Sequence, residues 1–249
     1  MQALETAALA AAAVAAGGIN AVVGSGTLIT FPTLLAFGVP PVLANVSNTI
    51  GLVPGVLTAA YGYRRELAGQ RARVLRFGAA SLLGGIAGAV LLLTLPSRAF
   101  EAAVPVLILT ACALVLLQPR LSRWLAARQS GGGGGGLPLW AGVLGTGVYG
   151  GYFGAAQGVL LMGLFGTFLP DDLRRLNALK TVLAALVNGV AAAFFIVLTE
   201  IDWSAVAIIA AGSTIGGFLG AKIGRRLSPA ALRGVIVAVG VTASVAVAV

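Results

Sequence analysis

The sequence contains no histidine and a single cysteine, and only 9% of its 249 residues are charged. Without a second cysteine, Cys112 cannot form an intramolecular disulfide. Without histidine, an enzyme would lack the commonest general base, and this chain shows neither a nucleophile–base pair nor a cluster of metal ligands. We therefore expect a protein that is not an enzyme and that uses no cofactor.

Charged residues are absent from two long stretches. No Asp, Glu, Lys or Arg occurs from Thr6 to Tyr63 or from Gln129 to Pro170. Each stretch exceeds the roughly 20 apolar residues that cross a bilayer once. The chain is 59% hydrophobic with a mean hydropathy of +1.01, and its Leu, Ala, Gly and Val favour helices over a barrel. The sequence thus predicts an all-α integral membrane protein with several crossings.

The net charge of +9 is concentrated in short segments between the apolar runs. Such segments are typical of cytoplasmic loops under the positive-inside rule, and this favours a multi-pass protein of the inner, cytoplasmic membrane over a nucleic-acid-binding protein. The three basic loops are Arg64, Arg65, Arg71, Arg73 and Arg76; Arg120, Arg123 and Arg128; and Lys222, Arg225 and Arg226.

The chain contains an internal repeat at an offset of 132 residues (177 − 45). This offset pairs Asn45 with Asn177 and the ungapped motif Ser-x-x-Gly-Gly-x-x-Gly-Ala at 81–89 with the same motif at 213–221; it also pairs Gly26 with Gly158. Six glycines at 131–136 lie between the halves and predict a flexible tether. We therefore predict a first repeat at 1–128, a linker at 129–137 and a second repeat at 138–249.

Loop charges indicate that the two repeats are inverted. The linker is predicted inside and Glu200 outside, so an odd number of crossings lies between them, and the first apolar run of the half must begin and end on the same side. Each repeat is then a broken or re-entrant segment followed by three transmembrane helices, with both termini outside. The breaks are predicted at 24–26 and 156–158, although these glycines could instead serve close helix contacts. A second arrangement, eight plain helices in two parallel repeats, would place Glu200 and Asp202 in the cytoplasm.

Two corresponding stretches, 45–49 and 177–181, are the most polar parts of the apolar runs. Polar groups at this depth are costly unless they face a cavity or a partner, so they are candidates for a substrate site. Lys180 would supply a cation, and the helix starts after the breaks would supply free N–H groups, which together favour an anion. The candidate substrate-binding residues are Lys180, Asn45, Asn48, Thr49, Asn177, Thr181, Ser25, Gly26, Gln157 and Gly158.

Each of these residues also has a structural interpretation. Lys180 could extend to the cytoplasmic headgroups beside Arg174 and Arg175, and the Asn and Thr residues could form hydrogen bonds between helices. Asn20 and Asn188 are interpreted as packing contacts. The aromatic residues near segment ends are interpreted as interfacial anchors: Tyr61, Tyr63, Trp140, Tyr149 and Trp203.

The stretch from Gly17 to Pro32, followed by Gly38-Val39-Pro40-Pro41 and Asn45-x-x-Asn48-Thr49, resembles the first repeat of the sulfite exporter TauE/SafE family of membrane transporters. Residues 149–155, Asn177-x-x-Lys180 and 216–221 resemble its second repeat. The resemblance covers nearly the whole chain and implies movement of small, mostly sulfur-containing anions such as sulfite or sulfonates. Ser25 and Gln157 stand where the family often has a fuller glycine run.

The expected function is a secondary transporter or facilitator that moves a small anion by alternating access. No Asp, Glu or His lies deep in a predicted membrane segment, which argues against a proton relay of carboxylates. The expected partners are a small anionic substrate and the lipid bilayer, with a homo-oligomer left open. A structural or assembly protein and an intramembrane enzyme remain the alternatives, and the sequence does not identify the anion, the direction or a coupling ion.

Overall fold

The computed structural model describes residues 3–127 and 135–223, together with Gly234. Within these residues every regular element is an α-helix. The helices are α1 (Ala3–Val22), α2 (Thr27–Ala36), α3 (Pro41–Gly62), α4 (Arg71–Thr94), α5 (Ser97–Ala127), α6 (Gly136–Tyr152), α7 (Gln157–Phe168), α8 (Leu173–Leu198) and α9 (Trp203–Ile223). Both chain ends, which are predicted to lie on the outer side of the membrane, and most of the glycine linker fall outside the described residues.

Six of these helices are long and apolar enough to cross a membrane: α1, α3, α4, α5, α8 and α9. Their outer faces carry exposed large apolar side chains such as Leu83, Leu116 and Val197, which suit contact with lipid. The prediction of an all-α, multi-pass membrane protein is confirmed. In the first half, the broken segment α1–α2 precedes three helices, α3 to α5, as expected.

The first predicted break lies between α1 and α2. Gly24 adopts a left-handed φ of +85°, a conformation that glycine adopts without strain. The backbone N–H of Gly26 donates to the Asn20 side chain at 2.9 Å, and a Cβ on Gly26 would lie 2.5 Å from the carbonyl oxygen of Ala16. The chain therefore turns back at residues 23–26, and α2 starts beside α1 instead of continuing it.

The second break, at residues 153–156, begins three residues and ends two residues earlier than the predicted 156–158. Gly154 provides the left-handed φ of +79°, so Gln157 and Gly158 belong to the first turn of α7. The offset between the hairpins is therefore 130 residues (157 − 27) instead of 132. The reason is that α7, with 12 residues, is two residues longer than α2, with 10.

The repeated Ser-x-x-Gly-Gly-x-x-Gly-Ala motif forms two helix crossings. In α4, a Cβ on Gly84 or Gly88 would overlap carbonyl oxygens of α6, and in α9 a Cβ on Gly216 would overlap the carbonyl oxygen of Val14 in α1. Glycine allows the helix backbones to approach this closely, as small residues do at membrane helix interfaces. The motif therefore places α4 against α6, and α9 against α1.

The contacts also determine the relative directions of α3, α8 and α9. Successive glycines of α3 approach successively later residues of α9: Gly51 meets Ile209, Gly55 meets Ser213 and Gly62 meets Ala221. These two helices therefore run parallel. By contrast, Tyr63 at the end of α3 packs in one cluster with Ala178 near the start of α8. At the other ends, Ser47 near the start of α3 accepts a hydrogen bond from the backbone N–H of Asp202, which follows α8. Helices α3 and α8, which are related by the 132-residue offset, therefore run in opposite directions.

Candidate functional site

The two breaks meet each other inside the bundle. The backbone N–H of Gly158 donates to the carbonyl oxygen of Gly24 at 3.2 Å. A Cβ on Gly158 would lie 2.6 Å from the Cα of Gly24, so only glycine fits on either side of this contact. Two segments that are far apart in the sequence are thereby brought into backbone contact.

The end of α1 is held by the polar stretch of α8. The last carbonyl groups of a helix have no partner inside the helix and need one elsewhere. Lys180 Nζ donates to the carbonyl oxygen of Asn20 at 3.4 Å, and Asn177 Nδ2 donates to that of Ala21 at 3.2 Å. A cation beside these carbonyls is also favourable because the helix dipole is negative at this end.

A matching bond holds the end of α6. Asn45 Nδ2, on α3, donates to the carbonyl oxygen of Tyr152 at 3.0 Å. Asn45 and Asn177 are repeat partners, and each reaches the first helix of the opposite half. The interpretation of these two asparagines as bonds between helices agrees with these contacts.

The repeat partner of Lys180 is Asn48, and the two residues have different surroundings. Asn48 accepts a hydrogen bond from Thr30 and donates to Thr27 Oγ1 at 3.4 Å, both on α2. Thr49 is buried beside it in α3. Asn48 therefore joins α2 to α3 within one half, whereas Lys180 crosses to α1.

The Lys180 side chain is 1% exposed. This burial contradicts the alternative in which Lys180 extends to the headgroups, although Arg174 nearby is exposed. Within residues 3–127 and 135–223, Lys180 forms no ion pair with a carboxylate; the described ion pairs join Asp171 to Arg73 and Arg175. The Asn20 carbonyl and the end of α1 offer only dipoles, which compensate a buried charge incompletely, so Lys180 is either neutral or paired with an anion.

A cavity lies beside Lys180 where the breaks meet α3 and α8. Its volume is about 20 Å³, which is little more than one water molecule needs. Four of the predicted site residues line it: Lys180, Thr181, Gln157 and Gly158. The described lining does not include the other six: Asn45, Asn48, Thr49, Asn177, Ser25 and Gly26.

Two buried polar atoms, in the first break and at the start of α7, have no hydrogen-bond partner in the part of the chain that the structure describes. They are Ser25 Oγ and Gln157 Nε2. Buried polar groups are normally paired because an unpaired one loses its hydration without compensation. Of these two residues, only Gln157 also lines the cavity.

Two residues that line the cavity are predicted from the sequence to be packing contacts. Asn20 and Asn188 both face the cavity, and Asn20 Oδ1 additionally accepts from Gly26, as described above. In the sequence, each is a single polar residue in an apolar helix, a pattern that does not show which face of the helix it occupies.

Tyr149 also differs from its predicted role as an interfacial anchor, because its hydroxyl donates to the Ala155 carbonyl at 2.6 Å and stabilises the break.

A model of the sulfite exporter TauE/SafE family matches residues 9–247. The chain belongs to this family. The resemblance inferred from the sequence motifs is thereby confirmed, and the paired breaks and the Lys180 cavity are features of a TauE/SafE protein. Such a chain is a multi-pass membrane protein from a family of transporters.

Curated relatives of this TauE/SafE chain carry transporter names. The chain is 29% identical over 218 residues to the probable membrane transporter protein YfcA of Escherichia coli K12, covering 86% of this chain and 77% of YfcA. It is 28% identical over 208 residues to a probable membrane transporter protein of Haemophilus influenzae, covering 82% and 79% of the two chains. No solved structure matches significantly.

The second break of this TauE/SafE chain contains a strained residue. Ala156 has φ 60° and ψ 15°, a left-handed conformation that costs an L-residue about 1 to 2 kcal/mol. We expect Ala156→Gly to stabilise the protein by roughly 0.5 to 1 kcal/mol after the entropy of the unfolded chain is counted. Thermal unfolding in detergent measures the change.

Ala155→Gly is the matched control, because Ala155 is equally buried and lacks the positive φ. We expect this control to destabilise the protein by roughly 1 kcal/mol. If both variants lower the unfolding temperature, Ala156 is not a source of strain.

An ion-pair cluster joins the halves of the TauE/SafE chain at the start of α8. Asp171 pairs with Arg73 of α4 and, at 3.0 Å, with Arg175. Gln70, which is buried, donates to the Arg175 carbonyl at 3.0 Å. Burial raises the pKa of Asp171, but the hydrogen bonds from Arg73 and the Asp172 backbone and the Arg175 charge outweigh it, so the pKa is lowered.

A lowered pKa in the folded state makes this cluster sensitive to acid. Its stabilisation is complete above the unfolded carboxyl pKa of about 3.9 and is lost as the pH falls through the folded value. We expect Asp171→Asn to cost roughly 0.5 to 1 kcal/mol at pH 7, and we expect this cost to shrink as the pH falls below about 3.9. Unfolding measured from pH 7 down to pH 3 tests this, with the exposed Asp172→Asn as the control; equal losses in both variants would contradict it.

Proposed function

We propose that this chain carries a small, sulfur-containing anion such as sulfite or a sulfonate across the cytoplasmic membrane. The single observation that carries the proposal is the buried amino group of Lys180 beside a cavity at the contact of the two breaks. A charged side chain inside a membrane commonly marks a substrate path, and it is usually paired with another charge or with backbone carbonyl groups. A substrate anion is the partner that Lys180 lacks within the described residues.

The proposed site residues have two kinds of role. Lys180, Gln157, Thr181 and Gly158 form the cavity wall. Lys180 and Gln157 would donate hydrogen bonds to the anion, whereas the Thr181 hydroxyl and the Gly158 N–H already donate to protein carbonyls and would only shape the wall. Asn45 and Asn177 hold the helix ends, and Asn48 and Thr49 lie buried in α3. Ser25 and Gly26 shape the first break. We thus propose direct contacts for Lys180 and Gln157 and positioning for the others.

We propose that the halves are inverted repeats, 1–128 and 138–249, that move against each other around this site. The opposite directions of α3 and α8 support this arrangement. Paired broken helices around a central site are typical of alternating-access transporters. The cavity of about 20 Å³ is too small for an oxyanion, so in this proposal the anion binds only when the halves separate on one side.

The proposal is tested with purified protein in liposomes. We expect sulfite or methanesulfonate to enter protein-containing liposomes faster than protein-free ones and to saturate with concentration. An inside-negative potential should favour exit of an anion, because each charge gains about 2.3 kcal/mol per 100 mV. Liposomes that show no saturable flux for sulfite, sulfonates, thiosulfate or carboxylates would contradict a carrier function.

A further inference from the structure

The described residues around the cavity do not carry equal numbers of positive and negative charges. Its described lining contains one cation, Lys180, and no carboxylate. The other lining residues are neutral: Asn20, Gly24, Thr27, Val56, Gly154, Gln157, Gly158, Thr181, Ala184 and Asn188. An anion in this cavity would therefore meet one formal positive charge and otherwise only dipoles.

The available hydrogen-bond donors do not add a second charge. Gln157 lines the cavity, and its Nε2 is buried with no hydrogen-bond partner among the described residues. Thr181 already donates its hydroxyl proton to the Asn177 carbonyl at 2.8 Å, so that hydroxyl is an acceptor toward the cavity. Asn48, the repeat partner of Lys180, is a neutral amide bonded to Thr27 and Thr30. The repeat therefore has one lysine where a symmetric pair would supply two.

The substrate charge follows from this balance. A monoanion neutralises Lys180, and the loaded site then carries no net charge through the bilayer. A dianion would leave one uncompensated negative charge in a buried, low-dielectric environment, which is unfavourable. We propose that this site selects monovalent anions, so that sulfonates and the singly protonated form of sulfite are ligands and sulfate is excluded. This inference rests on the proposed function.

Binding by the full-length protein in nanodiscs tests the inference. The probes are two monoanions, methanesulfonate and methyl sulfate, and two dianions of similar shape, sulfate and thiosulfate, at one ionic strength. We expect the monoanions to bind at least about tenfold more tightly, a difference of about 1.4 kcal/mol. Equal or tighter binding of the dianions overturns the charge inference but leaves anion transport standing. Binding of none of the four overturns both proposals.

A positive charge added at Asn188 provides an independent test of the inference. Asn188 lines the cavity on the same helix as Lys180, eight residues further on, which is about two turns. We expect Asn188→Lys to reduce the monoanion preference at least tenfold or to reverse it, whereas the neutral Asn188→Gln should keep it. A folded Asn188→Lys protein with an unchanged preference overturns the inference. If that variant does not fold, the comparison of the four probes on the unmodified protein decides alone.

Discussion

Lys180→Met is expected to reduce anion affinity by a factor of about 30 or more while leaving a folded protein. Removing one partner of a buried charge pair typically costs about 2 to 5 kcal/mol. Methionine retains the length and most of the volume of the side chain. The bond that is lost, from Nζ to the Asn20 carbonyl, is long at 3.4 Å. Isothermal titration with methanesulfonate measures the loss, and thermal unfolding shows that the fold is intact.

Two further variants make this experiment decisive. Lys180→Arg keeps the charge, but its larger planar group must fit beside a cavity of about 20 Å³, so we expect partial affinity. Lys222→Met removes a positive charge from an exposed lysine of α9 and should bind like the unmodified protein. Unchanged affinity in Lys180→Met would refute the assignment of Lys180 to the site. Equal losses in Lys180→Met and Lys222→Met would show a general effect of net charge.

Gly84→Ala and Gly216→Ala are each expected to destabilise the protein by about 2 to 3 kcal/mol. The new methyl groups would overlap the backbone of α6 and α1, respectively, and backbone atoms cannot move aside as a flexible side chain can. Added methyl groups in tightly packed regions typically cost about 1 to 3 kcal/mol. For a chain of this size, we expect the unfolding temperature to fall by roughly 5 to 10 °C.

Gly189→Ala is the matched control for these two substitutions. Gly189 also lies inside a helix, but a Cβ there meets nothing within 4 Å. Alanine has a higher helix propensity than glycine by up to about 1 kcal/mol, so this variant should be neutral or slightly stabilised. An unfolding temperature for Gly84→Ala equal to that of Gly189→Ala would mean that α4 and α6 are not in close contact.

Much of the fold could be predicted because the sequence repeats its constraints. The glycine motif at 81–89 recurs at 213–221, and both copies form close helix crossings. The polar residues Asn45 and Asn177 recur in the same way, and both cross between halves. A constraint that is present twice is distinguishable from a chance pattern, particularly in a sequence that contains 36 glycines.

The parts that could not be predicted depend on three-dimensional position. The prediction applied one offset of 132 residues to both breaks. Because α7 is two residues longer than α2, this offset placed the second break too late in the sequence. Asn20 and Asn188 line the cavity, but one polar residue in an apolar helix does not reveal which face is buried. The site prediction likewise joined residues that contact the cavity with residues such as Asn45 that hold a helix end, because both kinds need polar side chains.

The contact between Gly24 and Gly158 lies beside the proposed substrate site. It implies that selection of solutes by size and selection by charge would depend on different parts of the protein. At this contact the wall consists of main chain only, so its width changes when helices move and not when a rotamer changes. The proposed charge preference, by contrast, depends on one side chain of α8, that of Lys180. Engineering could therefore alter tolerance for solute size and tolerance for solute charge separately, the first through helix packing and the second through substitutions around Lys180.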